Sequence, residues 1–390
     1  MRKITSVVLC QFKPKSLPLF SIKSLYFAAF TQLYFFLNLY LIVIPLRNKN
    51  VTIGLFFCVI LALGQFTSCE NGRSSSRPLS SVEKEADTTQ TKKSVPIPVL
   101  DSAAYDQRML ALANGDTTGR WPVKGPYPLP GAIVPFKRIV AYYGNLFSTR
   151  MGILGELPKE EMMAKLKEEV ALWEKADSTT PVVPALHYIA VTAQGQPGKG
   201  SKYRLRMPFH QIDTILAWAK EMDAIVFLDI QVGHSSVKEE VEMLAPYLQL
   251  PNVHLGIDPE FSMKEGHAPG KKIGYFEAGD INDAIDYLSD VVKAHNLPPK
   301  VLVVHRFTQG MIRDYQNIKL TPEVQMVINM DGFGNKILKE STHKRYIYKE
   351  PIQFTGFKLF YKNDTQNNWQ MYSPEELLQF TPKPVYIQYQ

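Results

Sequence analysis

Acidic side chains lie at the ends of short apolar runs in much of this chain. A carboxyl group at the end of a buried strand costs free energy of folding unless it is paired with a cation or a hydrogen-bond donor. A concentration of such groups therefore indicates a functional site. In the stretch Asp258-Pro259-Glu260 the two acids are two positions apart, which places them on the same side of an extended strand. Such a pair suits general acid–base catalysis, because each negative charge raises the pKa of the other carboxyl. The candidate catalytic residues are Glu260, Asp258 and Asp229.

Polar residues at the ends of the other apolar runs are candidates for binding a substrate. Because alternate side chains of a strand face the same way, one choice of inward face gathers all of them at one end of a parallel sheet. Histidine, tyrosine and amide groups can donate hydrogen bonds to a ligand, and a tyrosine ring such as that of Tyr143 also offers a stacking face. The candidate substrate-binding residues are Tyr143, His187, Gln231, His305, Asp331, Lys358, Tyr386 and Gln388.

These residues also have a structural interpretation. Asp258 and Glu260 could be held by Arg306, by Lys358 or by loop amides, and then serve only to fix the rim of the sheet. His305 could be a core histidine bonded to a carbonyl group. The functional and structural interpretations both stay open at this point.

A divalent metal site is the alternative reading of the same residues. Mixed histidine and carboxylate ligands suit zinc, manganese and similar ions, and a bound metal can activate water for hydrolysis. The sequence lacks the His-x-His motif that metal-dependent amidohydrolase barrels usually carry on an early strand, so the first expectation is a site without metal or other cofactor. The possible ligands are His187, Asp229, Asp258, Glu260, His305 and Asp331.

Eight predicted strands, alternating with amphipathic helices, must position these side chains. Near-continuous apolar strands in this rhythm are typical of parallel strands buried on both faces. Eight of them within residues 132–390 predict a (β/α)8 TIM-type barrel that closes on the eighth strand, and barrel enzymes build their sites at the carboxyl ends of the strands. The alternative is an open doubly wound sheet, but no glycine-rich phosphate loop follows the first strand. The predicted strands are 138–144, 182–191, 224–232, 252–261, 300–307, 323–333, 354–361 and 383–390.

Helical spacing of apolar residues predicts the elements between the strands. An amphipathic stretch over 103–114 precedes the first strand and could close the bottom of the barrel or take the place of the missing eighth helix. The other predicted helices are 158–176, 207–222, 235–250 and 279–295.

The stretch HLGIDPEF (residues 254–261) resembles the strand-four motif of the chitinase-like glycoside hydrolases, which reads Asp-x-Asp-x-Glu. The resemblance implies that Glu260 is the general acid and that Asp258 orients a substrate acetamide. Gly256 replaces the first Asp of the motif, so the resemblance does not extend to substrate assistance in the chitinase manner.

Residues 103–390 as a whole resemble a group of uncharacterised bacterial proteins. The shared strings include VPALHYIAVTAQ, VFLDIQVG, GIDPEFSM, PPKVLVVHRFTQ, FTGFKLFYKND and YIQYQ. This resemblance implies one barrel domain behind a lipoprotein-type leader and implies no particular activity.

The leader consists of two apolar runs, 25–46 and 51–69, of which the second follows a basic stretch and ends at Cys69. A basic segment, an apolar segment and small residues before a cysteine resemble the lipobox of bacterial lipoproteins, which implies cleavage before Cys69 and its lipidation. An uncleaved signal anchor is the alternative, and a start codon near Val51 would explain the doubled apolar run. Residues 70–100 lack large apolar side chains and predict a flexible tether. The predicted organisation is a leader (1–69), this tether and a barrel domain (101–390).

The composition excludes several classes of function. The net charge is +7, but much of the excess of Lys and Arg lies in the first hundred residues, so the barrel carries no nucleic-acid footprint. All three cysteines precede residue 70, which excludes disulfides and zinc–thiolate sites from the barrel. The sequence thus predicts a membrane-anchored envelope lipoprotein facing the periplasm or the cell exterior, most simply a glycoside-hydrolase-like enzyme acting on a glycan. A non-catalytic protein that binds a saccharide or envelope component, and a metal-dependent hydrolase, are the alternatives.

Overall fold

A closed barrel of parallel strands forms the centre of the computed structural model, which describes residues 99–390. The predicted leader, Cys69 and nearly all of the tether lie outside the described residues. β1 pairs in parallel with both β2 and β8, so the sheet has no open edge at this seam. The predicted TIM-type barrel is confirmed, and the open-sheet alternative is wrong. The barrel strands are β1 (Arg138–Gly144), β2 (Val182–Ala193), β3 (Ile225–Ile230), β4 (Val253–Ile257), β5 (Lys300–Arg306), β6 (Val324–Met330), β7 (Phe354–Leu359) and β8 (Tyr386–Tyr389).

The fourth strand is shorter than predicted. β4 ends at Ile257, and the chain then forms a single 3-10 turn over Pro259–Phe261. Pro259 has no backbone N–H to donate to a neighbouring strand, which ends the ladder there. The Asp258 side chain caps the turn by accepting a hydrogen bond from the backbone N–H of Glu260. Glu260 therefore lies in a turn above the strand rather than on it.

Helices surround the barrel on the outside. The predicted helix over 235–250 is interrupted at Leu244, and Pro246 lies in the first turn of the segment that follows. The main helices are α1 (Ser102–Ala113), α2 (Lys159–Ala176), α3 (Phe209–Glu221), α4 (Val237–Met243), α5 (Ala278–His295) and α6 (Lys336–Thr342). Shorter helical segments are Ile153–Glu156, Ala245–Leu248 and Pro374–Leu377, and a π-helical turn over His343–Tyr348 continues α6.

In the described part of the chain, three short strands lie outside the eight-stranded barrel. The strand Arg204–Arg206 pairs antiparallel with the end of β2. A two-stranded parallel sheet joins Phe276–Glu277 to Ile312–Arg313, beyond the carboxyl ends of β4 and β5. All three therefore follow barrel strands on the side where barrel enzymes place their loops.

The amino-terminal end of the barrel is closed by α1. Tyr105 and Met109 of this helix belong to the same buried apolar cluster as Ile139, Val301 and Phe354, which face the barrel interior. The backbone N–H of Lys383 also donates a hydrogen bond of 2.8 Å to the carbonyl of Leu112. The amino-terminal end of the interior is thus closed mainly by apolar side chains, with Gln325 bound to the backbone of Val134. Among residues 99–390, no helix is both long and apolar enough to cross a bilayer.

Candidate functional site

The barrel interior changes from apolar to polar as the strands run toward their carboxyl ends. In β2 and β3 the inward residues Ala185 and Phe227 are apolar, and the next inward residues along the chain are His187 and Asp229. The same change occurs in other strands, because side chains two apart share a face. The buried polar residues at this end include Tyr143, His187, Asp229, His305, Asn329, Lys358 and Gln388.

Asp229 lies at the centre of this group. Its Oδ1 is 3.2 Å from Nε2 of His187 and 3.4 Å from Nε2 of His305. Its Oδ2 accepts a 3.1 Å hydrogen bond from the hydroxyl of Tyr143, and Gln231 reaches the same hydroxyl at 3.5 Å. All three of Asp229, His187 and His305 have no exposed surface. The structure thus brings together five of the residues selected from the sequence.

A second set of contacts involves Nδ1 of each histidine, the ring nitrogen that faces away from Asp229. Nδ1 of His305 is 2.8 Å from Oδ2 of Asp331, and Nδ1 of His187 is 2.6 Å from the hydroxyl of Tyr386. Gln388 donates to that hydroxyl at 2.8 Å. Although both ring nitrogens of His305 lie close to carboxylates, neither contact is aligned as a hydrogen bond.

Lys358 and Arg306 bind partners other than the acid pair. Nζ of Lys358 donates to Oδ2 of Asp331 at 3.0 Å and lies 4.0 Å from the centre of the Tyr143 ring. Arg306 pairs with Glu350 and donates to backbone carbonyls. Within residues 99–390 neither cation forms an ion pair with Asp258 or Glu260, whereas a loop amide does bind Asp258, through the backbone N–H of Glu260.

Asp258 and Glu260 form no ion pair within residues 99–390. Asp258 is 3% exposed and Glu260 is half-buried. In this part of the chain the backbone N–H of Glu260 is the one hydrogen-bond donor to the Asp258 carboxyl. Burial raises the pKa of both carboxyls and the charge of Asp331 raises each pKa further, and this outweighs the opposite effect of His305 and Lys358. Both groups are thus biased toward the protonated form.

The other two acids are biased the opposite way. Burial alone would raise the pKa of Asp229, but His305 and His187 lower it below its usual range. Burial also opposes the charge of Asp331, yet Lys358 and His305 lower the pKa of that group. Burial disfavours the charge of His305, but Asp229 and Asp331 raise its pKa to about 10. Two ionised carboxylates thus lie beneath two carboxyls that favour the neutral form, an arrangement typical of acid–base sites.

Gly256 explains why the first Asp of the chitinase-like motif is missing. A Cβ atom at this position would lie 2.3 Å from Oδ1 of Asp229 and 2.4 Å from Nε2 of His187. The space that the motif's side chain would need is therefore filled by these two residues. Asp229 and His187 thus occupy the position that the first Asp of the motif would take.

Substituting Gly256 with Ala is expected to destabilise the barrel by about 1–3 kcal/mol, because the fully buried Asp229 and His187 must both move. Urea unfolding at pH 7 measures the change. Gly279→Ala is the matched control: a Cβ there meets nothing within 4 Å, and alanine favours the helix α5. A loss for Gly256→Ala no larger than that of the control would contradict the packing described.

Comparisons with solved structures find distant similarity to glycoside hydrolases. A cellulase, Cel5C_n, has 13% identity and a TM-score of 0.35, over 61% of this chain and 70% of the cellulase. A ruminal GH26 endo-β-1,4-mannanase has 12% identity and a TM-score of 0.31, over 65% and 59% of the two chains. An endo-β-N-acetylglucosaminidase from Cordyceps militaris has 12% identity and a TM-score of 0.31, over 75% and 87%. Similarity at this level assigns no activity.

The chain matches no protein-family model and no curated protein. Membership of the bacterial lipoprotein group therefore stays a prediction.

Proposed function

We propose that the barrel is a hydrolase that cleaves a glycan by acid–base catalysis at its carboxyl-terminal end, with Glu260 as the general acid or base. The observation that carries this proposal is the pair of buried Asp258 and half-buried Glu260, which lies beside ionised carboxylates and forms no ion pair within residues 99–390. A carboxyl that stays protonated near neutral pH can donate a proton to a leaving oxygen. Two carboxyl groups with different protonation are what glycosidic cleavage requires.

The surrounding residues take positions that suit this role. Asp258 orients the turn that carries Glu260, and Asp331, which is 8% exposed, is placed to bind water or a sugar hydroxyl. The loops after β4 and β5 form an open cleft of about 170 Å³ lined by Met263, Tyr275 and other residues, none of which is a candidate catalytic or substrate-binding residue. This cleft adjoins the catalytic turn, since Gly274 donates a backbone hydrogen bond of 2.6 Å to the carbonyl of Glu260.

Three of the residues selected for substrate contact take a different role in this proposal. Tyr386 and Gln388 have no exposed surface and bind neighbouring side chains, so we assign them to positioning His187. Tyr143 is 3% exposed, and Lys358 covers its ring. Its hydroxyl positions Asp229 instead of its face stacking on a sugar.

A glycan panel tests the proposal. The full-length protein in detergent is incubated with polysaccharides and oligosaccharides, and new reducing ends are measured with and without chelator. We expect saturable release from one class of glycan that persists in chelator. Binding without cleavage would replace the proposal by the non-catalytic alternative, and cleavage that chelator abolishes would replace it by a metal-dependent hydrolase.

We also propose that the chain is anchored in the bacterial envelope by a lipid on Cys69. This rests on the lipobox-like sequence, since the residue lies outside the described part. Cys69→Ala is expected to stop lipid labelling in cells and to move the protein out of the membrane fraction or stall its processing, whereas Cys58→Ala changes neither. Unchanged fractionation and mass for Cys69→Ala would contradict the anchor.

A further inference from the structure

Three side chains from three barrel strands turn one atom each toward a common point. These atoms are Nε2 of His187 on β2, Oδ1 of Asp229 on β3 and Nε2 of His305 on β5, and all lie within 4.8 Å of one another. Oδ1 of Asp229 is 3.2 Å from the first nitrogen and 3.4 Å from the second. The three residues are fully buried.

The two separations from Oδ1 of Asp229 match those of a tetrahedral metal site. The shorter of them is a hydrogen bond to Nε2 of His187, which a bound metal would replace. Zinc–nitrogen and zinc–oxygen bonds of about 2.0–2.1 Å place neighbouring ligand atoms of a tetrahedron about 3.3 Å apart. A direct hydrogen bond would instead require the imidazole N–H of His305 to point at the carboxylate oxygen. The alignment at Nε2 of His305 fails this requirement, which leaves a buried nitrogen without a hydrogen-bond partner.

The far side of each of these residues faces a polar group of a neighbouring side chain. Nδ1 of His305 faces Asp331 at 2.8 Å, Nδ1 of His187 faces the Tyr386 hydroxyl at 2.6 Å, and the second oxygen of Asp229 accepts from Tyr143 at 3.1 Å. Metal-binding histidines usually have this outer contact to a carboxylate or other polar group, which orients the ring and leaves Nε2 for the metal. The outer contacts leave the three inner atoms within 4.8 Å of one another and able to face a common ion.

We propose that His187, Asp229 and His305 bind one divalent transition-metal ion of the zinc class. Two imidazole nitrogens and one carboxylate oxygen are a donor set that such ions prefer over magnesium or calcium. Three protein ligands leave a fourth coordination position of the tetrahedron for a water molecule. The proposal goes beyond the acid–base function, which needs no metal, and does not depend on it.

Metal content of the full-length protein tests the proposal. The protein in detergent is stripped with chelator, incubated with excess ZnCl2, desalted and analysed by mass spectrometry of elements. We expect about one zinc per chain in the wild type, and its loss in His305→Gln and Asp229→Asn. His210→Gln is the matched control, because His210 is exposed on α3 and does not belong to the cluster. Asp331→Asn keeps all three ligands and is expected to weaken zinc binding about 10–100-fold.

Co2+ substitution covers the case in which a variant fails to fold. Wild-type protein loaded with Co2+ is expected to show visible d–d bands without the near-ultraviolet thiolate band that a site containing Cys10, Cys58 or Cys69 would give. Three outcomes would overturn the proposal. They are a zinc content of the wild type no higher after incubation with ZnCl2 than after stripping, zinc retained by both ligand variants, and a thiolate band in the Co2+ spectrum. None of these measurements uses a substrate, so their outcome is independent of the glycan test.

Discussion

The Glu260→Gln variant is expected to lose turnover by ~10²-fold or more on whichever glycan the wild type cleaves, with substrate binding retained. Glutamine preserves the shape of the protonated acid but cannot transfer its proton. Since Glu260 forms no ion pair within residues 99–390, the substitution removes no salt bridge. We therefore expect the melting temperature to stay the same or to rise, because the repulsion between Glu260 and Asp258 is gone. Initial rates and thermal unfolding of the same preparation measure both effects.

The sign of the pH dependence follows from the raised pKa of Glu260. In the unfolded chain this carboxyl ionises near pH 4.3, whereas in the folded barrel burial and Asp258 raise its pKa. The folded state therefore binds more protons above pH 4.3, and this group makes the wild type less stable as the pH rises. Glu260→Gln is expected to match the wild type in stability near pH 4 and to exceed it near pH 7.

Glu340→Gln is the matched control for this variant. Glu340 lies on α6, is exposed and pairs with Lys344. Its replacement is expected to change neither turnover nor the pH dependence of stability. Early melting of Glu260→Gln together with retained turnover would show that Glu260 is a structural residue.

The Lys339→Met variant is expected to lose ~3–5 kcal/mol of unfolding free energy. Lys339 and Asp364 form an ion pair of 2.7 Å, and both side chains are almost completely buried. Nζ of Lys339 also donates to the carbonyls of Gly332 and Lys358 at 2.8 Å each. Methionine fills the volume but leaves a buried carboxylate without a counter-ion and two carbonyls without a donor. Denaturant unfolding at pH 7 measures the loss.

Two further variants separate charge from volume at this position. Lys344→Met removes an exposed lysine of the π-helical turn that continues α6, and should cost less than ~0.5 kcal/mol. Lys339→Met combined with Asp364→Asn removes the unpaired charge and should recover part of the stability. A loss for Lys339→Met similar to that of Lys344→Met would contradict the buried ion pair. Because Lys339 holds the backbone of Lys358, a turnover defect is also expected at temperatures where the variant is folded.

The barrel itself could be predicted because its strands are apolar on both faces. β1 begins and ends at the predicted residues, and every residue of it is buried. The prediction fails where one residue overrides the pattern. Pro259 ends the fourth strand early, and Pro246 lies just beyond the interruption in the helix that follows β3.

The candidate site could be predicted in part, because alternation along a strand fixes which side chains share a face. This argument selected Asp229 and His305, which the structure brings into contact. It could not show that Gly256 is required by His187, since that contact joins different strands at a distance set by the barrel. The position of Glu260 also depends on a turn, where strand alternation no longer applies.

Lys339 shows why some residues could not be found. On α6 the apolar residues Ile337 and Leu338 are 79% and 54% exposed, while Lys339 is 1% exposed. Any reading of hydrophobic periodicity assigns the opposite orientation. Burial of Lys339 is decided by Asp364 and by two carbonyl groups, which the local sequence does not reveal.

The seam between β1 and β8 determines the order in which the barrel can fold. Ile139 pairs with Tyr386, whereas each other neighbouring pair of barrel strands joins segments that are close in sequence. Closing the chain between β1 and β8 costs more entropy than closing it between any other neighbouring pair of barrel strands. We therefore expect the seam to form after the other strand pairs are in place. Until then β1 and β8 are two open edges, each able to pair with another chain. During synthesis we therefore expect a transient state that is exposed to edge-to-edge association, and chaperones that bind extended segments would act at that stage.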